Sequence, residues 1–75
     1  MVNQDQLRVG LIGCGYQGRL LAQATEKVSA LRVTACADPD KEAAAGVAAL
    51  SGISNTYASA SELLRRSDVD TVLIA

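Results

Sequence analysis

The residues best suited to chemistry form one short run, Gly13-Cys14-Gly15-Tyr16-Gln17-Gly18, with a carboxylate, Asp38, twenty positions beyond its last glycine. The run has the spacing G-x-G-x-x-G. Alone that string is a weak signal, because glycines recur in ordinary turns. Its context strengthens it: an apolar run precedes it, a helical pattern follows, and a βαβ unit of about thirty residues contains it. Each glycine then has a task. Gly13 permits a tight turn out of a strand, Gly15 leaves room for a pyrophosphate, and Gly18 lets the helix approach the strand. The free N–H groups at the helix start would face the phosphates, where the helix dipole favours negative charge. Asp38, ending a second strand, can accept hydrogen bonds from ribose hydroxyls. Its charge repels a 2′-phosphate and favours NAD over NADP. Lys41 could reach such a phosphate, so NADP stays open. The plainer alternatives are a simple strand-to-helix turn for the glycines and a helix-capping role for Asp38. Capping and ribose contact can coexist.

Around this pair stand weaker candidates. Tyr16 and Gln17 could line the cofactor cleft, and Tyr16 could equally pack as a surface aromatic. Cys14 is small and has no nearby base to make it a nucleophile, so it reads as a spacer. Cys36 reads as a core residue. With no histidine and no C-x-x-C spacing, the two cysteines give no zinc site. No catalytic residue is assigned.

The elements that must hold these residues follow from the apolar pattern. Leu7–Ile12 reads as a first strand. Residues 16–29 read as a helix, with Leu20, Leu21, Ala24 and Val28 as its apolar stripe. Leu31–Ala37 is a second strand. A second helix is expected over 39–51, with Pro39 in its first position and Asp38 as cap. Gly46 weakens that helix by up to about 1 kcal/mol relative to Ala, and a close helix–sheet contact would explain it. Residues 53–57 form a weak strand. Ser59-Ala60-Ser61-Glu62 has capping-box spacing, which predicts a helix from about 60 to 66 anchored by Leu63 and Leu64. Residues 71–75 form the last strand. This alternation predicts an α/β fold with a parallel sheet and right-handed crossovers. With the glycine motif it reads as part of a doubly wound, Rossmann-like sheet of four strands in the order 3-2-1-4.

Composition narrows the function classes. Seven basic and eight acidic residues give a net charge of −1, with no basic stripe for nucleic acid. Arg65-Arg66 suits a solvated helix C-terminus. No apolar run approaches a membrane span, and residues 1–6 lack a signal-peptide core. The expectation is a reduced, cytoplasmic protein. The apolar run Thr71–Ala75 reads as a buried strand, which suggests a fragment.

Three segments together resemble the Gfo/Idh/MocA oxidoreductases, the glucose–fructose oxidoreductase and inositol 2-dehydrogenase group. They are Leu7 through Gly18, Ala35-Cys36-Ala37-Asp38-Pro39-Asp40, and Tyr57 through Leu63-Leu64 to Asp68–Ala75. The resemblance implies the N-terminal part of a dinucleotide-binding domain, with a C-terminal substrate domain outside residues 1–75. It implies hydride transfer between a nicotinamide cofactor and a sugar, cyclitol or similar small molecule, in a homo-oligomeric parent. It carries the cofactor contacts onto Gly13, Gly15, Gly18 and Asp38, with Tyr16 and Gln17 as loop contacts. The family's Glu-Lys-Pro motif with its catalytic lysine falls after the fourth strand, so the 75 residues alone should be inactive. The alternative is a non-catalytic dinucleotide-binding or redox-sensing module.

Overall fold

Apolar, β-branched runs separated by helical segments are the pattern of strands buried on both faces. The structure follows it at Val9–Leu11 and Ala35–Ala37, while the expected buried strand at 71–75 is an edge strand with Ile74 74 % exposed. A computed structural model describes residues 6–75. In chain order the elements are β1 (Leu7–Ile12), α1 (Tyr16–Glu26), β2 (Leu31–Ala37), α2 (Lys41–Ser51), β3 (Asn55–Tyr57), α3 (Ala60–Arg66) and β4 (Thr71–Ile74). The four strands form one parallel sheet in the order β3-β2-β1-β4, the expected order. No helix among the described residues is long and apolar enough to cross a membrane.

Two apolar clusters hold the sheet. On one face Leu11 and Cys36 pack with Ala22 of α1, Ala44 and Val47 of α2, and Ile53. On the other, Leu63 of α3 packs with Ala35 and Ala37. Gly10 makes room for Leu63: a Cβ there would lie 2.7 Å from Leu63 Cδ2. Beside it the β1–β2 register slips between Val9 and Gly10, leaving Thr34 as the extra residue of a bulge. The Thr34 carbonyl accepts a 3.4 Å hydrogen bond from the Asn55 side chain.

Several local expectations need correction. The first helix ends at Glu26, not residue 29, because the Lys27 and Val28 amides bond three residues back to Ala24 and Thr25. Its buried residues are Gly18, Ala22 and Thr25, while Leu20, Ala24 and Val28 are exposed and only Leu21 touches the core. The second helix begins at Lys41. Its cap is Asp40, whose Oδ1 accepts the amides of Glu42 and Ala43, so neither Asp38 nor Pro39 plays the expected part. Gly46 faces Arg19 of α1, whose guanidinium would sit 3.1 Å from a Cβ there; the close contact is helix to helix. The third strand spans only Asn55–Tyr57, and Ile53 is a core residue before it. The third helix is capped by Ser59, whose Oγ accepts the Glu62 amide as expected, while Glu62 Oε1 accepts the Ala58 amide, one residue before the cap, instead of closing the box on Ser59. Only Leu63 anchors it; Leu64 is 58 % exposed.

Candidate functional site

The site is built where β1 turns into α1. Gly13 has φ 97°, a left-handed conformation that glycine adopts without strain. Its amide donates to Ala37 O at 2.9 Å, tying the turn to the end of β2. Gly18, one turn into α1, lies against this loop so closely that a Cβ would run into the Gly13 carbonyl. Gly15 is different: nothing lies within 4 Å of where its Cβ would be. Two of the three glycines are therefore required by the loop's own geometry, and the third keeps a space open.

Gly15 is also the N-cap of α1, and it offers no side-chain acceptor. The Arg19 amide is the first to find a helical partner, Gly15 O at 2.9 Å. Among the described residues no acceptor meets the amides of Tyr16, Gln17 and Gly18. Such orphan donors at a helix start need an external partner, and the dipole makes an anion the favoured one.

That space is a hollow of about 350 Å³ lined by Gly13, Gly15, Tyr16, Gln17, Gly18, Asp38 and Ala75. Every candidate site residue of the sequence except Cys14 lines it. Cys14 is turned inward, with its side chain 1 % exposed and Sγ 3.5 Å from Ala37 O. Burial, then the neighbouring Cys36 thiol, push its pKa up to about 12, which disfavours the thiolate and suits a core thiol. Tyr16 is 74 % exposed at the rim.

Asp38 sits just past β2, on the rim of the same hollow. Its Oδ2 accepts the Cys14 amide at 2.8 Å and its Oδ1 accepts the Asp40 amide at 2.8 Å. These two hydrogen bonds, the Cys14 one foremost, hold its carboxyl below the usual carboxylate range. A carboxylate has about four acceptor positions, so further donors can still be taken.

Asp38 also lines a second hollow of about 230 Å³, with Lys41, Ala44, Thr56, Tyr57 and Ala58. The sequence reading missed Thr56, Tyr57 and Ala58. Part of the signal was available in the expected strand order, which puts the third strand beside the second; that it ends level with Asp38 is set by the register, Ala37 against Tyr57. The Asp38 amide in fact donates to Tyr57 O at 3.1 Å.

Two hollows at the carboxyl ends of parallel strands, one lined by the uncapped start of α1 and the two sharing the Asp38 carboxylate, are the arrangement of a Rossmann-type dinucleotide-binding domain. The residues present fit a dinucleotide: open space over Gly15, unpaired amides and a flanking ionised acceptor. Residues 7–75 match the Gfo/Idh/MocA family, described as an oxidoreductase family with an NAD-binding Rossmann fold, and the chain belongs to that family. NAD is accordingly the dinucleotide of this domain.

Solved structures agree with the assignment. The chain superposes with TM-score 0.88 and 30 % identity on an oxidoreductase from Agrobacterium radiobacter in complex with NAD+, L-tartaric acid and magnesium, covering 93 % of this chain and 20 % of that one. It superposes with TM-score 0.85 and 29 % identity on myo-inositol dehydrogenase from Lactobacillus casei in complex with NAD(H) and myo-inositol, covering 93 % and 21 %. A putative myo-inositol dehydrogenase from Sinorhizobium meliloti gives TM-score 0.81 at 28 % identity, covering 93 % and 21 %. The chain thus spans about a fifth of the length of these structures. No curated protein matches it in sequence.

Proposed function

We propose that this chain is the cofactor-holding part of an oxidoreductase that moves hydride between NAD and a hydroxyl or ketone of a sugar, cyclitol or similar small molecule. The observation that carries this reading is the set of unpaired Tyr16, Gln17 and Gly18 amides facing an open hollow with Asp38 on its rim. The amides take the diphosphate, Gly15 keeps its path clear, and Asp38 accepts the hydroxyls of the adenosine ribose. Thr56, Tyr57 and Ala58 flank the adenine side. Tyr16 and Gln17 edge the diphosphate. The hydride chemistry is the cofactor's own, and the protein supplies position and electrostatics.

The substrate class is supported by the ligands of two relatives. The L. casei enzyme was solved with myo-inositol and the A. radiobacter enzyme with L-tartaric acid, both small polyhydroxy compounds. Groups that act on such a substrate are assigned to segments outside these 75 residues, in a parent that associates as a homo-oligomer. NADP is the weaker ligand: the Asp38 charge opposes a 2′-phosphate, although Lys41 lines the hollow beside it.

Calorimetry with NADH and NADPH tests the cofactor, with NADH expected to bind more tightly. A longer chain carrying this domain, offered NAD and a panel of cyclitols and sugars, tests the reaction by the appearance of NADH. Tight NADH binding with no turnover of any of them would favour a redox-sensing module instead.

A further inference from the structure

Cys14 occupies the second position of the glycine motif, yet its amide does not face the hollow. Three attachments hold this part of the loop. The Gly13 amide is bonded to Ala37 O at 2.9 Å, the Cys14 side chain is buried against β2, and the Cys14 amide is bonded to Asp38 Oδ2 at 2.8 Å. Asp38 is itself fixed, because its other oxygen accepts the Asp40 amide in the turn that leads into α2. One carboxylate therefore bridges the β1–α1 turn and the β2–α2 turn. A bond from an amide to an ionised acceptor is roughly twice as strong as a neutral one.

Resting on the dinucleotide reading above, we propose that Asp38 is a positioning residue for the diphosphate loop in addition to a ribose contact. It holds the Cys14 amide so that the loop is set before cofactor arrives, and it leaves the phosphates to the amides of Tyr16, Gln17 and Gly18. Ribose contact alone would give Asp38 no part in phosphate binding. The bridge gives it one, exerted through Cys14.

Amide hydrogen exchange and calorimetry separate these roles. In the wild-type protein without cofactor, the Cys14 amide is expected to exchange far more slowly than those of Tyr16 and Gln17. In Asp38→Ala that protection is lost. Binding is then measured with NAD and with an NAD analogue whose adenosine ribose lacks both its 2′- and 3′-hydroxyls. Asp38→Ala is expected to weaken the analogue about tenfold, the scale of one hydrogen bond to a charged group. Equal affinity of wild type and variant for the analogue overturns the proposal. So does a wild-type Cys14 amide that exchanges as fast as its neighbours, an arm that needs no variant to fold. A wild-type protein that binds no NAD while Cys14 stays protected would sink the dinucleotide reading, and the proposal with it.

Discussion

Asp38 and Asp70 lie at opposite ends of the same sheet, and each accepts the amide of a residue in or just past β1: Cys14 at 2.8 Å and Arg8 at 2.7 Å. In both, hydrogen bonds pull the carboxyl below its usual range. The surroundings differ. Asp70 is closed off by the Arg8 guanidinium, which donates to Oδ2 at 3.2 Å and to Oδ1 at 3.1 Å and also bonds Asp68 at 2.5 Å. The Asp70 amide returns a 2.8 Å bond to Arg8 O. Asp38 faces no cation in any salt bridge among the described residues and opens onto two hollows. A carboxylate already matched by a cation is a clasp between β1 and β4. A carboxylate stabilised only by amides keeps its charge for something that arrives later. Residue type and strand-end position are shared, so the missing cation marks the site.

The largest test of that contrast uses the glycines beside Asp38. Gly18→Val drives a side chain into the Gly13 carbonyl and is expected to abolish NAD binding, with roughly 1–3 kcal/mol lost from overpacking. Gly15→Val places its Cβ in open space, so denaturant unfolding should be nearly unchanged while calorimetry shows NAD binding lost. If Gly15→Val binds NAD as the wild type does, the open end of the sheet is not the cofactor site.

Next come the aspartates themselves. Asp38→Asn is expected to weaken NAD about tenfold or more, since at least one amide or ribose partner loses its ionic acceptor. Asp70→Asn should leave NAD affinity unchanged and lower the melting temperature, an effect that added salt should shrink because the Arg8 cluster is exposed. A melting temperature insensitive to Asp70→Asn would show that the clasp adds nothing.

Acid sharpens the same comparison. Both carboxyls have folded pKa values below the ordinary 3.8. A depressed carboxyl contributes stability that is present above its unfolded pKa and is lost as pH falls through the folded one. Unfolding measured by circular dichroism should therefore show stability constant at neutral pH and declining below about pH 3.8. Asp70→Asn should flatten part of that decline. Asp38→Asn should flatten a different part, and the two should add because the groups lie at opposite ends of the sheet.

How much of this was legible in the sequence depended on how local the constraint was. The glycine loop was readable because its demands, a left-handed turn at Gly13 and a close approach at Gly18, fall on single residues. The parallel sheet followed from alternation and handedness, and its order from the Rossmann reading of the glycine loop. The buried face of α1 is not legible from residue size. The helix sits so close over its own loop that small residues, Gly18, Ala22 and Thr25, face inward at spacings of four and three, and Leu20 turns out. The cap of α2 was misassigned because two aspartates stand two apart. Only the tertiary bond from Cys14 to Asp38 decides which is spent on the loop and which, Asp40, is left to cap the helix.

The smallest expected effect concerns Cys14, the one motif residue turned away from the hollow. Its thiol is buried beside Cys36, and burial first, then that neighbour, raise its pKa to about 12. At neutral pH a thiol-reactive disulfide reagent should label neither cysteine in the folded protein and both after denaturation, since the thiolate is the reacting form. Cys14→Ala removes the sulfur and keeps the amide that bonds Asp38. NAD affinity should then stay within about twofold, with a stability loss of about 1 kcal/mol, the usual size for one buried substitution. A large loss of NAD affinity in Cys14→Ala would mean that the side chain, and not only the amide, sets the loop, and that the open end of the sheet is braced through its core as the closed end is braced through its charges.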